Sequence, residues 1–217
     1  ASFVIDQNLP SINISGVSAA NKNDVVPVVE ISDKNLKTHE IKLYRNGTEC
    51  ESGSADGKIS FKLPDADKYI TAVMTTDQTE DGIVKKLVFD NFPTEEIYDG
   101  SYSLEVTAGD KALNTNSADM EFSVNRKGSV FAIKDIDKIN NQYLNIAPSV
   151  VITERNVDKH KPDADVVIIV DKGSNTVQLT PDQYSVSEPE ALDDKSGYEY
   201  EYTIFAENFD QDLDYNI

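Results

Sequence analysis

One phrase occurs twice in this chain, 121 residues apart. Residues 27–36 read Pro27-Val28-Val29-Glu30-Ile31-Ser32-Asp33-Lys34-Asn35-Leu36, and residues 148–157 read Pro148-Ser149-Val150-Val151-Ile152-Thr153-Glu154-Arg155-Asn156-Val157. Without a gap, apolar falls on apolar, hydroxyl on hydroxyl, acid on acid and Asn on Asn. His39 and His160, the only two histidines, stand at the same spacing. A period this long exceeds any solenoid unit and matches a whole domain. The chain is therefore expected to fold as two copies of one domain, each long enough to bury its own core. Cys50 is the sole cysteine, so no intrachain disulfide contributes.

Between turn residues, short runs rich in Val, Ile, Tyr, Phe and Thr recur, and these predict strands. They are Val28–Ser32, Glu40–Tyr44, Ile59–Leu63, Tyr69–Thr75, Ile83–Phe89, Ser101–Thr107 and Asp119–Val124. Ser103-Leu104-Glu105-Val106-Thr107 alternates polar and apolar, as a strand with one buried face must. Asn46-Gly47 is a strong hairpin signal. Lys172-Gly173 follows Val166–Val170 at the matching place in the second copy. No window predicts a helix of ten residues or more. About seven antiparallel strands per copy give an all-β fold, two tandem β-sandwiches.

Phe3-Val4-Ile5-Asp6 matches Phe122-Ser123-Val124-Asn125, and a turn and an alternating run follow each, Ser11–Ile14 and Ser129–Ile133. Residues 1–6 are thus expected to be the last strand of a preceding repeat, 7–126 a whole domain and 127–217 a second. In the first copy, Asn91-Phe92 leads on to Tyr98–Tyr102 and two closing strands. In the second, Asn208-Phe209 leads only to Asp210–Ile217. The second sandwich is expected to lack its last strands. Either the sequence is a fragment or a strand from elsewhere completes the sheet, because open edges are unfavourable.

These residues resemble a known family. Phe3–Asp6, Pro10 and Ile12-Asn13-Ile14-Ser15-Gly16 resemble the linker and first strand of bacterial Ig-like repeats. The run from Gly100 to Asn114 is similar to their closing motif, G-x-Y-x-L-x-V-x-A-x-D-x-A-G-N, with Leu113 where the family has Gly. The resemblance implies immunoglobulin-like sandwiches from a large secreted or cell-wall-attached bacterial protein. There they serve as stalks, spacers, adhesin modules or accessory domains beside an extracellular enzyme. The implied partners are neighbouring domains, cell wall, a glycan or a host protein. The fold itself specifies no activity.

Net charge is −19. Residues 1–127 carry 21 acids against 13 Lys and Arg, and residues 128–217 carry 18 against 7, so the acidity is not confined to a tail. Such a surface repels nucleic-acid phosphates and anionic headgroups. No apolar stretch approaches the ~20 residues of a membrane span.

Two groups of residues stand out as candidate sites. In an Ig-like sandwich the loop after the second strand and the last hairpin lie at one end. That would gather Asp33, Asn35, Asp110 and Asn114, with Asp6 close by, as oxygen ligands for calcium. The ordinary role of such residues is to bond their own turns. In the second copy Glu154 and Asn156 take the places of Asp33 and Asn35, with Arg155 between them. The other candidate is Tyr198-Glu199-Tyr200-Glu201-Tyr202, which sets three tyrosines on one strand face. That face either stacks on a sugar or partner, or packs into the core. One His per copy and one Cys in all do not make a zinc site. Nothing frames Cys50 as a nucleophile, and no catalytic residue is identified. The sequence predicts a non-enzymatic module.

Overall fold

A computed structural model describes residues 4–161, 166–173, 175–210 and 213–217. The protein is all-β, with only three single-turn 3-10 helices beside its strands among the described residues. It divides into two compact units, Ala1–Lys127 and Gly128–Ile217.

Unit 1 holds β1 (Ser11–Ser15), β2 (Ala20–Asn21), β3 (Val28–Asp33), β4 (Leu36–Arg45), β5 (Thr48–Glu49), β6 (Glu51–Ala55), β7 (Lys58–Lys62), β8 (Tyr69–Thr79), β9 (Gly82–Phe89), β10 (Gly100–Asp110) and β11 (Thr115–Val124). One sheet runs β1-β3-β9-β8-β7-β6 and the other β2-β11-β10-β4-β5. Every pairing is antiparallel except the short parallel contact of β2 with β11. Alternation explains the core. Along β10, Tyr102, Leu104, Val106 and Ala108 are buried while Ser101, Glu105 and Thr107 face water. They meet Val29, Ile31, Phe61, Ile70, Leu87 and Phe89 of the other sheet in one hydrophobic cluster, an arrangement consistent with a β-sandwich. Asn46 and Gly47 both take positive φ, 49° and 73°, as the tight β4–β5 hairpin requires.

Unit 2 holds β12 (Val130–Ile133), β13 (Val150–Asn156), β14 (Ile169–Lys172), β15 (Asn175–Gln178), β16 (Tyr184–Val186), β17 (Glu190–Ala191), β18 (Tyr198–Ile204) and β19 (Tyr215–Asn216). One sheet runs β12-β13-β18-β16, with β17 also on β18, and the other β15-β14-β19. Its own cluster includes Val150, Ile168, Val170, Tyr200, Tyr202, Ile204 and Phe209.

A few strand pairings of the two units can be set side by side. Ile12 faces Ile31 across β1–β3, and Ile133 faces Ile152 across β12–β13, each shifted by the 121-residue period. Arg45 faces Thr48 in the β4–β5 hairpin, as Lys172 faces Asn175 in β14–β15. Tyr102 then pairs with Arg45, and Tyr215 with Lys172. The Tyr102 hydroxyl donates to the carbonyl of Tyr98 at 2.8 Å, and that of Tyr215 to the carbonyl of Asp210 at 3.1 Å. Phe92 meets Tyr102 edge-on at 5.3 Å, and Phe209 meets Tyr215 edge-on at 5.0 Å.

Some sequence expectations need correction. Phe3 lies outside the described residues, but Val4–Asp6 form no strand. Val4 and Ile5 stay exposed with no sheet beside them, and side-chain hydrogen bonds hold Asp6 instead. In unit 2 the strand expected from Val166 begins only at Ile169. The strand expected from Glu40 begins already at Leu36, since β4 pairs with β10 that far, and so His39 lies inside it. Leu113 accepts φ of 72°, a value that glycine reaches far more readily.

Candidate functional site

The acid–amide cluster of unit 1 is built by strand pairing. Because β4 pairs with β10, the tight β3–β4 turn that carries Asn35 lies beside the β10–β11 hairpin. The Lys111 N–H donates to the Asn35 carbonyl at 2.9 Å and locks the two turns together. A register shift between Gly109 and Asp110 marks a bulge there. Bulges re-aim side chains, and here Ala108, Gly109 and Asp110 are buried in succession.

Carboxylate oxygens of Asp6, Asp33 and Asp110 lie within 4.8 Å of one another. Asn35 Nδ2 donates to Asp6 Oδ2 at 2.6 Å. Asn114 Nδ2 donates to the Asp6 carbonyl at 3.1 Å and to Asp110 Oδ2 at 2.8 Å, and the Asn114 backbone N–H donates to Asp110 Oδ1. Asp33 Oδ1 accepts the Asn35 N–H. The structure thus brings all five sequence-predicted residues together, across three separated segments. The hydrogen bonds from Asn35 and from the Asn8 N–H hold the Asp6 carboxyl below its usual value, against a small opposing effect of burial.

The electrostatics of this cluster are lopsided. Asp110 is 2% exposed, and its donors are neutral amides. None of the three acids forms an ion pair with a described residue. Three carboxylates this close repel one another unless a proton or cation joins them. The donor set is oxygen only, which suits a hard cation such as calcium and not zinc. Two ligands at a calcium–oxygen distance of about 2.4 Å stand at most about 4.8 Å apart, so the observed spread fits one shared ion.

In unit 2 the place of Asp33 is taken by Glu154, which has a different environment. Glu154 is fully buried. Its Oε1 accepts from Ser129 Oγ and lies 2.7 Å from His160 Nε2, while Oε2 accepts from the Tyr202 hydroxyl. Asn156 Nδ2 donates to Ser129 Oγ at 2.8 Å. The His160 ring also packs on Tyr200 at 4.6 Å. Burial, then the bond and charge of Glu154, push the Tyr202 hydroxyl far above its usual range. The sequence pointed to the acid position here but not to its partners. The signal that could have found them is the replacement of Asp by the longer Glu beside a repeated histidine and a tyrosine-bearing strand.

The tyrosine face is not a stacking platform. Tyr200 and Tyr202 are buried, and Tyr198 is partly buried against the same core. Their hydroxyls serve His160 and Glu154, and Glu199 and Glu201 pair with Arg155 and Lys134. Cys50 is buried in unit 1, and burial raises its thiol to about 11, so it is protonated at neutral pH.

Fold and site together define an all-β protein with one oxygen-rich acidic cluster and one buried glutamate network. No protein-family model matches the sequence, and no curated protein matches it.

Proposed function

We propose that the chain is a non-catalytic tandem module, two immunoglobulin-like sandwiches serving as spacer and interaction segments of a large secreted or cell-surface bacterial protein. The observation that carries this reading is the tyrosine corner found in both units. In each, a tyrosine near the start of its strand, Tyr102 or Tyr215, bonds back to a carbonyl a few residues upstream and packs edge-on against a phenylalanine. That device belongs to Greek-key sandwiches of the immunoglobulin type. Separate hydrophobic clusters in the two units support independent beads. Single-molecule stretching of the chain between inert handles tests the reading. Two discrete unfolding events are expected, and a single event for the whole chain overturns it.

Calcium at the Asp6–Asp33–Asp110 cluster belongs to the same reading. The observation that favours it is the buried Asp110 with two further carboxylates alongside and no ion pair of theirs among the described residues, the Lys34 charge only easing Asp6. Asp6 would supply one ligand from the segment before β1, so an ion would fasten that segment to the two turns. Extracellular modules bind calcium with Kd of about 10⁻⁴–10⁻³ M. At roughly 10 mM calcium the stabilisation is then about 1.4–2.7 kcal/mol, a shift of a few degrees in unfolding midpoint. Thermal unfolding in calcium and in chelator measures it. Asp110→Asn should abolish the difference, and identical midpoints for the wild-type chain reject the ion.

A further inference from the structure

We propose that Asn46 is a site of slow self-modification. Its side-chain amide is lost to give aspartate or isoaspartate, and the docking of the β4–β5 turn on β10 sets the rate. This goes beyond the function proposed above.

Of all the asparagines in the chain, only Asn46 is followed by glycine. An asparagine amide is chemically labile. Its loss begins when the backbone nitrogen of the next residue attacks the side-chain carbonyl carbon. The N–Cγ bond forms, the Cγ–Nδ2 bond breaks, and ammonia leaves with the proton of the attacking N–H. Water then opens the cyclic imide at either carbonyl. One opening gives aspartate. The other gives isoaspartate, whose main chain runs through the former side-chain methylene. A side chain on the next residue crowds the attack, and Gly47 has none. Water is the only co-reactant, so the chain needs no partner for this step.

The fold opposes this ring closure. Asn46 stands at φ of 49° in the turn, and its N–H donates to the Ser101 carbonyl at 2.8 Å. Its Oδ1 accepts the Ser101 N–H at 3.0 Å, so the side chain continues the β4–β10 ladder. Gly100 lies against the same amide, and a Cβ there would stand 2.9 Å from Oδ1. The group that must swing onto the Gly47 nitrogen is therefore pinned to the start of β10. What pins it is small. β5 has two residues, pairs only with Tyr44 and Arg45, and is exposed together with Gly47. Such short, exposed elements open locally at far lower cost than the whole fold. Attack on Cγ thus waits for the turn to lift from Ser101. The isoaspartate form does not dock again in the same way. Its turn is a backbone atom longer and its carboxylate a bond closer to the main chain, so the two bonds to Ser101 cannot both re-form. Loss of ammonia makes the change one-way.

The test incubates the 217-residue chain in mildly alkaline buffer, folded and in guanidinium chloride, and follows each asparagine by peptide mapping with mass spectrometry. Unfolded, Asn46 should convert ahead of every other asparagine. Folded, it should convert about tenfold or more slowly, and the slowing should track the hydrogen-exchange protection of the Ser101 N–H. Gly100→Ala would push Oδ1 aside. It should speed conversion several-fold in the folded chain and leave the unfolded rate unchanged. The purified isoaspartate form should lose exchange protection at Ser101. Should Gly100→Ala fail to fold, the wild-type comparison and the isoaspartate form decide alone. Equal rates in the folded and unfolded chain overturn the proposal. So does a folded rate that departs from the exchange of Ser101, or an isoaspartate form in which Ser101 stays protected.

Discussion

At the scale of single residues, the most consequential side chain is Glu154. It is fully buried, and three side chains converge on it. Glu154→Ala would leave the donors of Ser129, His160 and Tyr202 without their acceptor, and such changes cost about 3 kcal/mol. Urea unfolding should show the loss in unit 2 and leave unit 1 unchanged. His39 gives a pH signature in unit 1. Burial, and then the nearby Lys85 ammonium, hold its ring below the ordinary value of 6.5. The unfolded chain therefore binds the proton first as pH falls. The stability is complete above about pH 6.5 and declines from there toward the lower folded value. Urea midpoints at about pH 7.5 and pH 5.5 should differ less for His39→Gln than for the wild type. These two histidines share a sequence position but not a role. One faces a lysine and the other a glutamate, which no spacing rule distinguishes.

At the scale of elements, the β10–β11 hairpin shows local preference overridden by its surroundings. Leu113 sits at φ of 72° and its side chain is 78% exposed, so it has the strain of a left-handed residue without compensating packing. A side chain in that region costs about 1–2 kcal/mol, while the extra freedom of glycine in the unfolded chain costs about 0.4–1 kcal/mol. Strain is the larger effect, so Leu113→Gly should stabilise unit 1 by about 0.5 kcal/mol, readable as a raised urea midpoint. Strand positions were readable because alternation is a local signal, as along β10. The bulge at Gly109–Asp110 was not, because it arises only when β10 is laid against β4.

At the scale of the whole molecule, the net charge of −19 implies self-repulsion that added salt should screen. Raising sodium chloride from about 10 to 150 mM should raise the unfolding midpoint by a few degrees, and a lowered midpoint would count against it. The period-two alternation pointed to an all-β chain, because it is a property of consecutive residues, and the structure is all-β. The resemblance to Ig-like sandwiches named Asp6, Asp33, Asn35, Asp110 and Asn114, since in that fold the loop after the second strand and the last hairpin lie at one end. Which face of β18 is buried could not be read, because Tyr198–Tyr202 alternates equally well either way round. Packing against His160 and Glu154 accompanies the burial of Tyr200 and Tyr202, with Tyr198 partly buried beside them. Likewise Asp33 and Glu154 are the same letter of one repeated phrase. Whether that letter joins two other carboxylates or is buried among hydroxyl and imidazole groups depends largely on residues elsewhere in the chain, such as Asp6, Asp110, Ser129 and Tyr202, which folding alone brings close.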